Sequence, residues 1–121
     1  MADILVVDDE LDMIMMLKAA LERQGHSVIT ASNGVEALGV LQERDVHLVV
    51  TDMHMPELDG FDLIPAVLEQ FPGQRILAMS GVGQWEPKDN LNVARDLGAV
   101  CCVEKPFNLD DFYGCVEELV G

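Results

Sequence analysis

Two hydrophobic periodicities alternate along this chain from end to end, and that alternation limits its possible folds more than any other feature. Short runs rich in Val, Ile and Leu occupy 4–7, 27–31, 47–51, 75–79 and 100–103; each is too short to stand alone as a helix, and together they predict five strands. The stretches between them, 10–24, 34–44, 60–71, 89–97 and 109–120, carry apolar residues at helical spacing and predict five helices. Gly25 and Gly98 fall just past two of these stretches, where a left-handed cap belongs, and Asn108 stands where it can cap the last. Pro65 lies inside the third stretch and is expected to remove a backbone hydrogen bond and kink the helix.

Strands alternating with helices imply βαβ units, whose crossovers are right-handed and whose parallel sheet is covered on both faces. The expected architecture is therefore α/β, a doubly wound (βα)5 sandwich around a five-stranded parallel sheet. At 121 residues, half of them hydrophobic, the chain is one domain's worth, 1–121, and can bury roughly two-thirds of its unfolded surface. No second domain is expected within this length, and with no output domain after the last helix the unit is expected either to work alone or to have been cut from a longer chain.

Charge excludes several roles. Seven Lys plus Arg against 22 Asp plus Glu leave a net charge of −15, which repels phosphate backbones and anionic membranes, so no direct nucleic-acid or membrane partner is expected. The opening MADILVVDDE places acids where a signal peptide needs a basic and then an apolar region, which predicts a soluble, cytoplasmic protein. The three cysteines, two of them adjacent at Cys101 and Cys102, read as reduced, mostly buried thiols.

In an open α/β sheet, functional groups collect outside the carboxyl ends of the strands, where strand order reverses. The first strand runs straight into Asp8, Asp9 and Glu10, and the third ends at Asp52. Carboxylates this close repel unless a cation or protons intervene. The donor set suits Mg2+, which takes carboxylate, water and phosphate oxygens, and offers nothing for Zn2+. The fourth strand ends at Ser80, a hydroxyl donor, and the fifth near Lys105. Together these residues can hold Mg2+, present a carboxylate nucleophile and neutralise a phosphoryl group on it. Singly, each is a common turn, cap or solvated loop residue; the force lies in four strand ends carrying the right group.

The sequence resembles the receiver (response regulator) domain of two-component signalling, and is similar to chemotaxis-type single-domain receivers with their flavodoxin-like fold. The residues that carry the resemblance are Val7-Asp8-Asp9-Glu10, Thr51-Asp52-Met53-His54-Met55-Pro56 with Asp59-Gly60, Met79-Ser80-Gly81, and Glu104-Lys105-Pro106-Phe107. The resemblance implies that Asp52 is the phosphoacceptor, that Asp9 ligates Mg2+ directly and Asp8 mainly through water, and that the backbone carbonyl of His54 is the third protein ligand. It further implies that Ser80 hydrogen-bonds the phosphoryl group and Lys105 pairs with it. The implied partners are a sensor histidine kinase or histidine phosphotransfer protein and a downstream protein. Chemistry would be limited to self-phosphorylation and slow self-dephosphorylation.

Departures from the family pattern matter too. Cys102 stands three residues before the lysine, where the family usually carries Tyr or Phe, so the aromatic rotamer change that reports phosphorylation is not available there. The expected substitute is the segment from Ser80 to Asp89, with two glycines and Trp85, the chain's single tryptophan. Met13 and Met16 are candidates for docking the phosphodonor, because the family uses the outer surface of its first helix. The phase of strand alternation is expected to turn the His54 side chain away from Asp52. His26 and His47 read as satisfied or exposed strand residues. Two rival classes remain: a Mg2+-dependent aspartyl-phosphate phosphohydrolase, which wants its nucleophile on the first strand and a substrate cap, and a flavodoxin-like cofactor carrier, which wants a neutral phosphate loop where this chain has acids.

Overall fold

The computed structural model describes residues 2–55, 57–80, 87–105 and 108–120, with 87–91 as backbone. The chain runs β1 (Asp3–Val7), α1 (Leu11–Arg23), β2 (Ser27–Ala31), α2 (Gly34–Glu43), β3 (Leu48–Asp52), α3 (Gly60–Gln70), β4 (Ile76–Ser80), α4 (Pro87–Leu97), β5 (Cys101–Glu104) and α5 (Leu109–Val120). All described strand pairings are parallel, in the order β2-β1-β3-β4-β5. The chain steps one way from β1 to β2, then crosses back and proceeds through β3, β4 and β5 in the other direction. A constant crossover hand turns that reversal into two layers, with the helix of the first step on one face and those of later steps on the other.

Burial agrees with that rule. On β1, Ile4 and Val6 join Ile14, Leu17 and Leu21 of α1 and Phe112 and Val116 of α5 in one core. Leu5 and Val7 face the opposite layer with Ala37 and Leu41 of α2, Leu63, Ile64 and Val67 of α3, and Ala94 of α4. Alternate strand residues thus feed two cores, which is why the strands are apolar on both faces. Each fully buried Leu, Ile or Phe contributes about 1.5–3 kcal/mol of transfer free energy.

Strands β3, β4 and β5 begin and end one residue later than the apolar runs suggest. The sheet ladder sets their ends: Asp52 is in register with Met79, and Ser80 with Glu104. Asp52 and Ser80 are therefore the last residues of their strands and are held as rigidly as the sheet. Gly25 and Gly98 have φ of 94° and 123°, the left-handed conformation expected past α1 and α4. The Asn108 side chain accepts from Asp110 N at 2.7 Å at the start of α5. Pro65 sits on the exposed face of a continuous α3, so the peptide carbonyl it leaves unbonded can turn to water.

At the amino end of the sheet, the Ala2 amide donates to His26 Nδ1 at 3.2 Å and the Asp3 amide to His47 Nδ1 at 3.0 Å. His47 is exposed and its Nδ1 is satisfied; His26 is buried with Nδ1 satisfied but Nε2 lacking a hydrogen-bond partner among the described residues, 3.8 Å from the Glu117 carboxylate, so the expectation of a satisfied histidine holds there for one ring nitrogen only. Their acceptor role places the ring proton of the neutral form on Nε2. Among the described residues, no helix is long and apolar enough to cross a membrane.

Candidate functional site

The reversal of strand order falls between β1 and β3, and their carboxyl ends carry the acids. Asp8 is fully buried at 0% exposure. Its Oδ1 accepts from Glu10 N at 3.0 Å, and its Oδ2 lies 2.9 Å from Lys105 Nζ. Both carboxylate oxygens of Asp8 are thereby engaged with the protein. Asp52 is 6% exposed, its Oδ2 3.3 Å from Lys105 Nζ and its Oδ1 3.5 Å from His54 N. Asp9 is exposed at the rim. One carboxylate oxygen from each of Asp8, Asp9 and Asp52 lies within 4.8 Å of the other two.

Locally determined features fix the end of β3 and the start of α3 beside these acids. Gly60 begins α3 directly beneath the end of β3: a Cβ there would come within 2.7 Å of Met53 Sδ and 2.8 Å of Asp52 O. The Asp59 side chain caps the helix by accepting from Asp62 N, and Glu57, two residues before that cap, adopts a left-handed φ of 62°, uncommon outside glycine. Buried Thr51 donates its hydroxyl to Asp52 O at 2.9 Å, fixing the peptide that carries the nucleophile candidate.

The electrostatics are those of an acidic pocket short of cations. Three carboxylates face one ammonium. A like-charge contact near 4.8 Å costs about 3 kcal/mol at an effective dielectric of about 20. Burial, and then the Asp8 charge, push the Asp52 carboxyl above its ordinary value, while Lys105 pulls it part of the way back. Burial pulls Lys105 down, but its hydrogen bond to Asp8 and the charges of Asp52 and Asp8 outweigh that, and the ammonium is held above its ordinary range. Oxygen donors from Asp9 and Asp52 fit a hard divalent cation such as Mg2+, which would relieve the remaining negative charge.

Ser80 is buried at the end of β4, and its carbonyl accepts from Lys105 N at 2.6 Å, which ties the lysine's backbone to the neighbouring strand. Thus the structure brings together Asp8, Asp9, Asp52, Ser80, Lys105 and the His54 backbone at one sheet edge. The His54 ring packs edge-on against Phe61, with centroids 5.5 Å apart. The pleat ends at Asp52, so packing on α3, rather than strand alternation, sets where that ring goes.

The other candidates fare differently. Met13 is half-buried against the α1 and α5 core, so the helical phase turns it inward. Met16 is 41% exposed, and Leu11 and Met15, which sequence reasoning passed over, are 67% and 61% exposed. Spacing of four places Leu11 and Met15 on one outward stripe, the signal that would have found them. Cys102 packs half-buried against the α2–α4 layer; burial pushes its thiol up, and the Arg95 charge pulls in the other direction. All three cysteines are half-buried rather than core residues. Of the segment expected to report phosphorylation, residues 81–86, with Gly81 and Trp85, lie outside the described residues.

Fold and crevice together define a flavodoxin-like α/β domain with an acidic, lysine-bearing pocket at its switch point. Residues 4–117 match the family described as the response regulator receiver domain. Over 120 residues the chain is 32% identical to the response regulator receiver protein CpdR of Brucella abortus, covering 99% of this chain and 98% of that one. It is 27% identical over 115 residues to the sporulation initiation phosphotransferase F of Bacillus subtilis, covering 95% and 90%. The transcriptional regulatory protein GlrR of Escherichia coli is 30% identical over 117 residues, but the match spans 97% of this chain and only 26% of GlrR. The solved receiver domain of NtrX from Brucella abortus superposes with a TM-score of 0.90 at 32% identity, covering 98% of each chain. The chain belongs to the response regulator receiver domain family, the phosphoacceptor switches of two-component signalling. It is a signalling domain and not a classical enzyme.

Proposed function

We propose that residues 1–121 act as one receiver unit in which Asp52 accepts a phosphoryl group from a phosphohistidine on a sensor histidine kinase or histidine phosphotransfer protein. A carboxylate oxygen of Asp52 attacks the phosphorus, an O–P bond forms, and the N–P bond breaks to return neutral or protonated imidazole to the donor. Water later cleaves the acyl phosphate and restores the carboxylate, a slow self-dephosphorylation.

The observation that carries this reading is the position of Lys105, whose ammonium lies 3.3 Å from Asp52 and 2.9 Å from Asp8. Held there, it can follow charge from the carboxylate to a phosphoryl oxygen without travelling far. Asp9, Asp52 and the His54 carbonyl would hold Mg2+, which when bound supplies charge neutralisation to the transferring phosphoryl group, and Asp8 would act through water because Lys105 and Glu10 N occupy its oxygens. Ser80 and Lys105 would grip the phosphoryl oxygens. The exposed stripe of Leu11, Met15 and Met16 starts two residues after Asp9 and suits the docking of the donor, and a downstream protein partner would read the phosphorylated state. We place the chain in the cytoplasm with these partners.

Labelling with acetyl phosphate and with a phosphohistidine protein tests the assignment. One acid-stable, base-labile phosphoryl group is expected, and it is lost in Asp52→Asn; label persisting in that variant would move the nucleophile elsewhere.

A further inference from the structure

α2 and α3 both begin with a buried glycine, and both glycines press on the loop that joins β3 to α3. The first N–H groups of a helix find no partner within it and must be satisfied from outside. The Gly60 N–H donates to Met53 O at 3.1 Å, which closes the loop 53–59 at its base. The Gly34 N–H, from a different helix, donates to Leu58 O at 3.0 Å and ties down the far side of the same loop. Glu36 N is capped locally by the Asn33 side chain at 2.9 Å, so the start of α2 is fixed in place while its first amide is spent on the loop.

Each contact depends on the missing Cβ. At Gly34 one would lie 2.2 Å from Leu58 O and 2.8 Å from Leu58 Cβ, and at Gly60 one would lie 2.8 Å from Asp52 O. Neither side of the Gly34 contact yields cheaply, because Leu58 packs its side chain against the α2–α4 core and α2 is anchored there by buried Ala37 and Leu41. Glu57, the residue before Leu58, holds its left-handed φ of 62°, a conformation that a residue with a side chain adopts only at a cost, and the turn it makes belongs to the stretch that meets α2.

This loop carries His54, whose carbonyl is assigned above to Mg2+ together with Asp9 and Asp52. Mg2+ demands near-ideal octahedral geometry, so its affinity is sensitive to where each protein oxygen is held. We propose that Gly34 is a positioning residue for that site: the start of α2, which contributes no ligand of its own, fixes the loop through Leu58 and thereby sets the affinity for the metal. The inference rests on the assignment of Asp9, Asp52 and His54 to Mg2+. Coupling of this kind is reciprocal, so bound Mg2+ strengthens the bond between Gly34 and Leu58 by as much as that bond strengthens metal binding.

Titration calorimetry of the full chain with MgCl2, well below the melting transition of each variant, tests the role. Gly34→Ala is expected to weaken Mg2+ binding about tenfold, the size of an ordinary coupling between two sites. Leu41→Ala, which removes a buried contact from the last turn of the same helix, destabilises the fold without reaching the loop and should bind Mg2+ within about twofold of the unaltered chain. Hydrogen exchange in the unaltered chain needs no variant and decides the matter alone if Gly34→Ala does not fold. Saturating Mg2+ should slow the Gly34 amide about threefold or more and leave unchanged the Arg44 amide, which bonds Val40 O at the other end of α2. Equal Mg2+ affinity in a folded Gly34→Ala, an equal loss in Leu41→Ala, or a Gly34 amide slowed no more than that of Arg44 would each overturn the proposal. An unaltered chain that takes up no Mg2+ defeats the metal assignment and this inference together, whereas one that binds Mg2+ with no response at Gly34 defeats the positioning role alone.

Discussion

The Lys105 ammonium donates to Asp8 at 2.9 Å from a position only 3.3 Å from Asp52, so one cation from the end of the last strand serves carboxylates at the ends of the first and third. Asp8 is fixed on both oxygens, by Glu10 N as well as Lys105. Under the proposed assignment of Asp52 as phosphoacceptor, Lys105 is anchored on a residue that would not itself react, and its contact to Asp52 would be exchanged for one to a phosphoryl oxygen.

Removing that cation should be felt before any phosphate arrives. Lys105→Ala leaves two buried carboxylates without their ammonium and should destabilise the Mg2+-free fold by about 2 kcal/mol. Because the folded state holds the Lys105 proton above the ordinary value of 10.5, the stabilisation is full below that pH and is lost as pH rises through the higher folded value. Urea titrations of both proteins from pH 7 to pH 11 check this: a constant gap that closes only at the alkaline end, and narrows when Mg2+ is added at pH 7, is expected.

Asp52→Asn should make the fold more stable while abolishing phosphorylation. Burial raises the Asp52 carboxyl above 3.8, so the native state binds its proton more tightly than the unfolded chain does. Stability therefore falls as pH rises through the interval above 3.8, and it stays reduced at neutrality. The variant should melt a few degrees higher at pH 7, the response of a chain this size to about 1 kcal/mol, and show no advantage below pH 3.8. Calorimetric scans at the two pH values decide it.

Mg2+ should raise the melting temperature of the chain in proportion to the logarithm of its concentration above Kd. In Asp9→Ala that rise should be small, since the exposed member of the acidic trio is lost while the Lys105 contacts to Asp8 and Asp52 remain. Titration calorimetry that found equal Mg2+ affinity in both proteins would remove Asp9 from the ligand set.

The donor surface is separable from the chemistry. Met15→Glu places a charge in the centre of the exposed α1 stripe without touching Asp52. Transfer from a phosphohistidine protein should slow about tenfold, equivalent to roughly 1.4 kcal/mol of lost docking energy, while labelling by acetyl phosphate stays unchanged.

Two glycines of α2 should respond in opposite directions to the same change. A Cβ on Gly34 would fall 2.2 Å from Leu58 O, backbone that cannot swing aside, so Gly34→Ala should cost about 3 kcal/mol. Gly39 lies on the exposed flank with nothing within 4 Å of a Cβ, and Gly39→Ala should add about 0.5–1 kcal/mol. Denaturant midpoints of the two variants give the comparison.

How far the sequence reached is clearest at individual positions. Asp8, Asp9, Asp52, Ser80 and Lys105 were legible because the strands that carry them are short, apolar runs with an abrupt polar end, and parallel topology brings such ends to one edge. Strand boundaries slipped by one residue, since the ladder between Asp52 and Met79 depends on a neighbour distant in sequence. The phase of α1 was misread at Met13, because methionine fills core and surface alike and only the tertiary packing of Ile14, Leu17 and Leu21 sets the inward face.

Lys105 and Asp8 are 97 positions apart, and β1 and β5 are the first and last strands in chain order. As the chain is synthesised, the acids at the end of β1 emerge early and the lysine that balances them emerges late. A contact of such long range forms only when the intervening strands have taken their places. An unfinished or misassembled copy thus has acidic residues but no pocket, and cannot hold a phosphate in the way the complete fold can. Competence to receive the signal is in this sense a certificate that folding is finished, issued by the same ion pair that organises the site.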